Sequence, residues 1–269
     1  MNTIHKWFTG PVHEQSQPPA AHAAPFRLVV TSATDVGRRR SVNEDSAYAS
    51  ERLIAVADGM GGHAHGEVAS EIVVRALAEA EQRILGGNSA LAELSEVGIR
   101  VVARIDERVV ADENLRGTGS TMTALCFDGK EFVLAHIGDS RAYVVREGQL
   151  RPLTRDHTFV QTLVDEGRMS EEMAATHPRR SMLVRALQSG AEATADLGAF
   201  DVRAGDRYLV CSDGLTDVVP DETIHQVLGM TEPVDAVARQ LIELANEAGG
   251  PDNITVVIAD VYPGNGATE

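Results

Sequence analysis

Cysteine is scarce in this 269-residue chain: Cys126 and Cys211 are its only two. Two thiols exclude a disulfide scaffold and a thiolate zinc site by number alone. Basic residues are also few, 24 Lys+Arg against 40 Asp+Glu, which leaves a formal net charge of −16. Such an acidic excess disfavours non-specific binding to nucleic acid phosphates. No apolar run approaches the roughly 20 residues that a membrane-spanning helix needs. Residues 1–25 hold one lysine and no continuous apolar segment, so they do not read as a secretory signal, and the expected compartment is the cytoplasm. What remains, 43% hydrophobic and 24% charged, is the composition of a soluble globular chain. Its length suits one large domain or two small ones.

The first 25 residues contain four of the ten prolines and read as a flexible tail, with Trp7 and Phe8 as its candidate anchors. From Phe26 onward the pattern changes. Phe26, Leu28 and Val30 alternate with Arg27, Val29 and Thr31, as in a strand with one face more buried. Further strand-like runs lie at 53–57, 121–127, 132–137, 142–145, 208–211 and 254–261, several joined by hairpin turns such as Asp128-Gly129-Lys130. Val68, Ile72, Val73, Ala76, Leu77, Ala80 and Ile84 form one helical stripe, and Leu94, Val101, Val102, Ile105 and Val109 another. A third helix over 233–247 stops at Gly249-Gly250. Hairpins with segregated helices predict an α+β fold, antiparallel sheet covered by helices. Residues 155–190 carry mixed short helices and no sustained strand, as an insertion beside the core would.

The acids are placed informatively. Asp58, Asp139 and Asp213 each follow an apolar strand, and Asp252 stands just before one. A buried carboxylate beside other carboxylates is costly unless a cation neutralises it. Four strand-end acids, with the pair Glu44-Asp45 and no thiolate, predict a hard oxygen site for Mg²⁺ or Mn²⁺. Arg38-Arg39-Arg40 lies near that pair. It reads either as a guanidinium clamp for phosphate or as a solvated basic turn in a chain where 22 of 24 basic residues are Arg.

Six motifs then occur in order: Arg40-Ser41-Val42-Asn43-Glu44-Asp45, Asp58-Gly59-Met60-Gly61-Gly62-His63, Gly117-Thr118-Gly119-Ser120-Thr121, Gly138-Asp139-Ser140-Arg141, Ser212-Asp213-Gly214 and Asp252-Asn253. Across residues 26–262 the chain resembles the bacterial metal-dependent serine/threonine protein phosphatases of type 2C (PPM). The resemblance implies a four-layer α-β-β-α sandwich with a flap at about 155–190 and a C-terminal tail at 263–269. It implies two core Mn²⁺ or Mg²⁺ ions, held by Asp58, the Gly59 carbonyl, Asp213 and Asp252, with Glu44 and Asp45 acting through water. Asp139 with Asp213 matches a third, weaker ion site, and Arg40 the holder of the substrate phosphate. The implied reaction is attack on phosphoserine or phosphothreonine by water shared between two ions about 3.5–4 Å apart. The implied partners are phosphorylated proteins and a bacterial Ser/Thr protein kinase, with the enzyme itself a monomer.

One position departs from the animal and plant pattern, which has a proton-donating His directly after Asp-Gly. Here Met60 stands there, so His63 and metal-bound water are the candidates for general acid. Two rival functions compete. Residues 59–64 satisfy a loose G-x-G-x-x-A dinucleotide pattern, but Asp58 opposes a pyrophosphate, and Glu79 and Glu81 fall inside a helix where a ribose-binding acid belongs at a strand end. A non-catalytic phosphoprotein sensor is the other, opposed by the presence of every principal acid.

Overall fold

The computed structural model describes residues 26–61 and 65–264. One antiparallel sheet runs in the order β1 (Phe26–Asp35), β13 (Ile254–Pro263), β12 (Arg207–Cys211), β8 (Arg141–Arg146) and β9 (Gln149–Pro152). The second runs β11 (Asp196–Asp201), β7 (Glu131–Ile137), β6 (Met122–Phe127), β3 (Leu53–Ala57) and β2 (Ser46–Ala49). A small third sheet joins β10 (Leu187–Gln188), β5 (Gly119–Ser120) and β4 (Gly59–Met60). Helices α1 (Gly66–Leu85) and α2 (Ala90–Ala111) cover the second sheet. The first is covered by α6 (Asp221–Leu228) and α7 (Val234–Glu247). The expected four layers therefore form.

Strands buried on both faces explain the near-continuous apolar runs of the sequence. Along β3, Leu53, Ala55 and Ala57 face α1 and α2, while Ile54 and Val56 face the other sheet. In β13, Ile254, Val256 and Ile258 meet the helices, and Val257, Ala259 and Val261 fill the space between the sheets. Each fully buried Leu, Ile or Val contributes about 1.5–3 kcal/mol of transfer free energy. The helical stripes hold as read: Val73, Ala76, Leu77, Ala80 and Ile84 are buried, with Val68 and Ile72 packed at their margin. Cys126 and Cys211 are buried free thiols, pushed up to about 12 chiefly by that burial.

The insertion at 155–190 contains α3 (Phe159–Asp165) and α4 (Glu171–Ala175) and returns through β10 to the small sheet. Its root is fixed: the His157 N–H donates to the Gly138 carbonyl at 2.7 Å, and His157 Nδ1 accepts from the Gly138 N–H at 3.0 Å. A final short helix, α5 (Asp213–Thr216), caps β12. Strand β13 continues through Pro263, past the boundary expected at 262. The N-terminal segment 1–25 and residues 265–269 lie outside the described residues. None of the described helices is long and apolar enough to cross a membrane.

Candidate active site

The strand ends deliver the acids to one edge of the sandwich. Asp58 follows β3, and its backbone is held on both sides. Its N–H donates to Thr121 Oγ1 at 2.9 Å, and its carbonyl accepts from the Thr121 N–H at 2.9 Å. The Thr121 hydroxyl also shares a 2.7 Å hydrogen bond with Ser140, so one threonine ties Asp58 to the turn that carries Asp139. That turn needs Gly138: its φ is +113°, and a Cβ there would sit 2.5 Å from Thr121 Cγ2.

The loop after β1 carries Arg40, Glu44 and Asp45, and Asn253 braces it. The Asn253 amide donates to the carbonyls of Val36 at 3.0 Å and Val42 at 2.9 Å, and its Oδ1 accepts from the Glu44 N–H at 2.8 Å. Glu44 Oε1 accepts from the Gly66 N–H at 3.0 Å, a carboxylate at the start of α1 where the helix dipole favours it. Asp45 Oδ2 accepts from the Ser212 hydroxyl at 2.8 Å, next to Asp213. Gly59 N–H donates to the Glu44 carbonyl at 3.2 Å, and this contact leaves no room for a side chain: a Cβ on Gly59 would lie 2.3 Å from the Gly66 carbonyl.

Electrostatics then define the site. Burial pushes Asp58 well above the usual carboxylate range, and Asp45, Asp213, Asp139 and Asp252 push it further. Asp213 is raised well above that range by burial and by Asp139, Asp217, Asp252 and Asp45. Burial lifts Asp45 to about 6, against hydrogen bonds from Thr255 and Ser212, and lifts Asp139 to about 7 with help from Asp156. Asp213 Oδ1 is a buried oxygen with no hydrogen-bond partner among the described residues. Mutually repelling carboxylates with an orphaned acceptor and no nearby thiolate fit a hard divalent cation. Among the described residues no three acidic, histidine or cysteine side chains close up into a complete cage.

Arg40 stands at the rim, its Nη2 donating to Asp252 Oδ2 at 2.7 Å. Burial works against its charge, but Asp252, Glu44 and Asp58 outweigh it and hold the guanidinium above its ordinary pKa. Beneath the flap, a cleft of about 320 Å³ is lined by Asp139, Asp156, Asp213, Asp217, Arg141 and Arg180. Arg141 is locked to Asp156 by two hydrogen bonds of 2.9 and 2.7 Å, and Arg180 reaches Asp217 at 3.1 Å.

The structure thus brings Arg40, Glu44, Asp45, Asp58, Gly59, Asp139, Asp213 and Asp252 to one place. His63 lies outside the described residues. Thr121, Ser140, Ser212 and Asn253 were not singled out from the sequence as site residues. All four stand inside or beside the six motifs, which is the signal that marks them.

The sequence model of the family described as Protein phosphatase 2C matches residues 37–252. The serine/threonine protein phosphatase PstP of Mycobacterium tuberculosis is 51% identical over 228 residues, 85% of this chain and 44% of that protein. This chain therefore spans less than half the length of that relative. The serine/threonine phosphatase stp of Listeria monocytogenes is 36% identical over 241 residues, covering 84% of this chain and 93% of that one. Among solved structures, the M. tuberculosis phosphatase PstP/Ppp superposes with a TM-score of 0.83 at 50% identity, over 87% of this chain and 98% of that one. The catalytic domain of PstP in complex with two manganese ions gives a TM-score of 0.81 at 48% identity, over 88% and 99%.

Proposed function

The chain belongs to the protein phosphatase 2C family, and from that premise we propose that it is a metal-dependent hydrolase of phosphoserine and phosphothreonine on proteins. The observation that carries the reading is the convergence of Asp45, Asp58, Asp139 and Asp252 on Asp213, whose Oδ1 is buried without a hydrogen-bond partner among the described residues. Asp58, the Gly59 carbonyl, Asp213 and Asp252 would hold two Mn²⁺ or Mg²⁺ ions, with Glu44 and Asp45 reaching them through water and Asp139 with Asp213 offering a third, weaker position. Bound there, the ions would supply Lewis-acid activation of water and neutralise charge on the phosphoryl oxygens.

The protein's own groups do the rest. Arg40 offers a charged, forked donor at the rim and binds the incoming phosphate, exchanging its Asp252 contact for phosphoryl oxygens. Ser212 keeps Asp45 oriented, and Thr121 keeps Asp58 oriented. Met60 has no proton to give, which leaves His63 and metal-bound water as the two candidates for delivering a proton to the departing serine or threonine oxygen. Buried Cys126 and Cys211 are unsuited to attack on phosphorus, their thiols being held protonated.

On this reading the catalytic unit runs from Phe26 to the end of β13 at Pro263, with its flap at about 155–190. The enzyme works as a cytoplasmic monomer and reverses the work of a Ser/Thr protein kinase. The test is phosphate release from a phosphothreonine peptide in chelator, Mg²⁺ and Mn²⁺. Metal-dependent release that disappears in Asp58→Ala supports the reading. A folded protein that releases nothing with either ion overturns it in favour of a phosphoprotein-binding module.

A further inference from the structure

Most arginines of this acidic chain are neutralised in place: Arg83 on Glu93, Arg104 on Glu79, Arg146 on Asp206 and Arg207 on Asp260. Arg38 and Arg39, like the exposed Arg108, Arg151 and Arg179, are not. Both are exposed, and neither side chain makes an ion pair or hydrogen bond to another described residue. They directly precede Arg40, which is tied to Asp252.

Their backbone is nonetheless held firmly. The Arg38 N–H donates to the Gly250 carbonyl at 2.7 Å, and Asn253 grips the loop on either side, at Val36 and Val42. Gly37, at φ +80°, packs so closely that a Cβ there would lie 2.1 Å from the Asp252 carbonyl. Two guanidinium groups without a partner among the described residues therefore project from a rigid shelf beside Arg40. The neighbouring catalytic surface is carboxylate-rich and would otherwise repel an acidic peptide.

Resting on the phosphatase reading, we propose that Arg38 and Arg39 form a second anion subsite that takes an acidic side chain flanking the phosphorylated residue of the substrate. Arg39 and Arg38 lie at Cα separations of at most about 3.8 and 7.6 Å from Arg40, so the acidic residue falls within about three positions of the phosphoresidue. The shelf makes the preference positional. A mobile basic loop would favour any acidic peptide equally.

The experiment compares two phosphothreonine peptides in Mn²⁺, one with glutamate two or three residues from the phosphothreonine and one with alanine there. At low salt the expected kcat/KM ratio is about three- to tenfold in favour of the glutamate peptide, shrinking as salt screens the exposed pairs. Arg38→Ala/Arg39→Ala brings the ratio to about one, and Arg38→Lys/Arg39→Lys keeps most of it. Turnover of both peptides at equal kcat/KM by the wild type overturns the subsite and leaves the phosphatase reading standing. A preference that survives in the double alanine variant also overturns the subsite. No turnover of either peptide overturns the phosphatase reading, and the subsite with it.

Discussion

Thr121 grips Asp58 on both sides of its peptide, accepting the Asp58 N–H at 2.9 Å through its hydroxyl and donating its own N–H to the Asp58 carbonyl at 2.9 Å. The central acid of the site is thus positioned by a buried threonine 63 residues further along the chain. Thr121→Val keeps the shape but leaves the Asp58 N–H and the Ser140 hydroxyl without this partner. The expected cost is about 1–3 kcal/mol of stability, because unsatisfied buried groups are expensive. Metal-dependent kcat should also fall by roughly tenfold or more, because the displaced Asp58 no longer sits in its productive position. Thr121→Ser should restore both. Thermal melts and peptide kinetics on the two variants decide it, and a full loss of stability with unchanged kcat would assign Thr121 to the scaffold alone.

Divalent ions should stabilise the fold through Asp213. At a hundredfold excess over its dissociation constant, a ligand bound only by the native state adds about 2.7 kcal/mol, or roughly 5–10 °C in a domain of this size. Asp213→Asn removes one charge from the repelling group. In chelator its melting temperature should equal or exceed that of the wild type, while the Mn²⁺ increment should largely disappear. An unchanged increment in the variant would contradict the assignment of Asp213 as a ligand.

Arg40→Ala should lower kcat/KM for a phosphothreonine peptide by about a hundredfold, mostly through KM, with Arg40→Lys recovering only part. A lysine supplies the charge but not the planar fork that matches two phosphoryl oxygens. Equal kinetics for lysine and arginine would reduce the role of residue 40 to charge.

Gly59→Ala tests the packing that joins the site to α1. The new methyl would lie 2.3 Å from the Gly66 carbonyl and 2.4 Å from the Glu44 carbonyl, both backbone atoms with little freedom to yield. A destabilisation of about 1–3 kcal/mol is expected, the usual range for overpacking. A denaturant titration reads it directly.

Glu93, on α2, provides a pH-dependent prediction outside the carboxylate cluster. Hydrogen bonds from Arg83 and Asn88, with Arg100 adding to them, overcome burial and hold its carboxyl at about 2, below an ordinary value of 4.5. A depressed acid pKa stabilises the native state above the unfolded value, and that contribution is lost as pH falls through the folded one. The stability gap between wild type and Glu93→Gln should therefore be constant above pH 5 and close between about 4.5 and 2. Acid-unfolding curves of the two proteins show whether it does.

Much of this protein was decided locally. Strand and helix periodicity depends on neighbours a few residues apart, so β3, β6, β7, β12, β13 and the stripes of α1 and α2 were legible, as were the acids that end or precede the apolar strands. Strand β11 was not, because Asp196–Asp201 is an exposed edge whose alternation is weak and whose pairing with β7 is a matter of register. The metal chemistry followed from residue type, since carboxylates without thiolates select hard cations wherever they converge. Tertiary structure alone decided which polar residues support them. Thr121, Ser212 and Asn253 reach partners 63, 167 and 209 residues away, and only sheet pairing brings those atoms within hydrogen-bond range. It also separated the three adjacent arginines into one bound to Asp252 and two without a side-chain partner among the described residues. Charge sums in a sequence are blind to which guanidinium a folded carboxylate reaches.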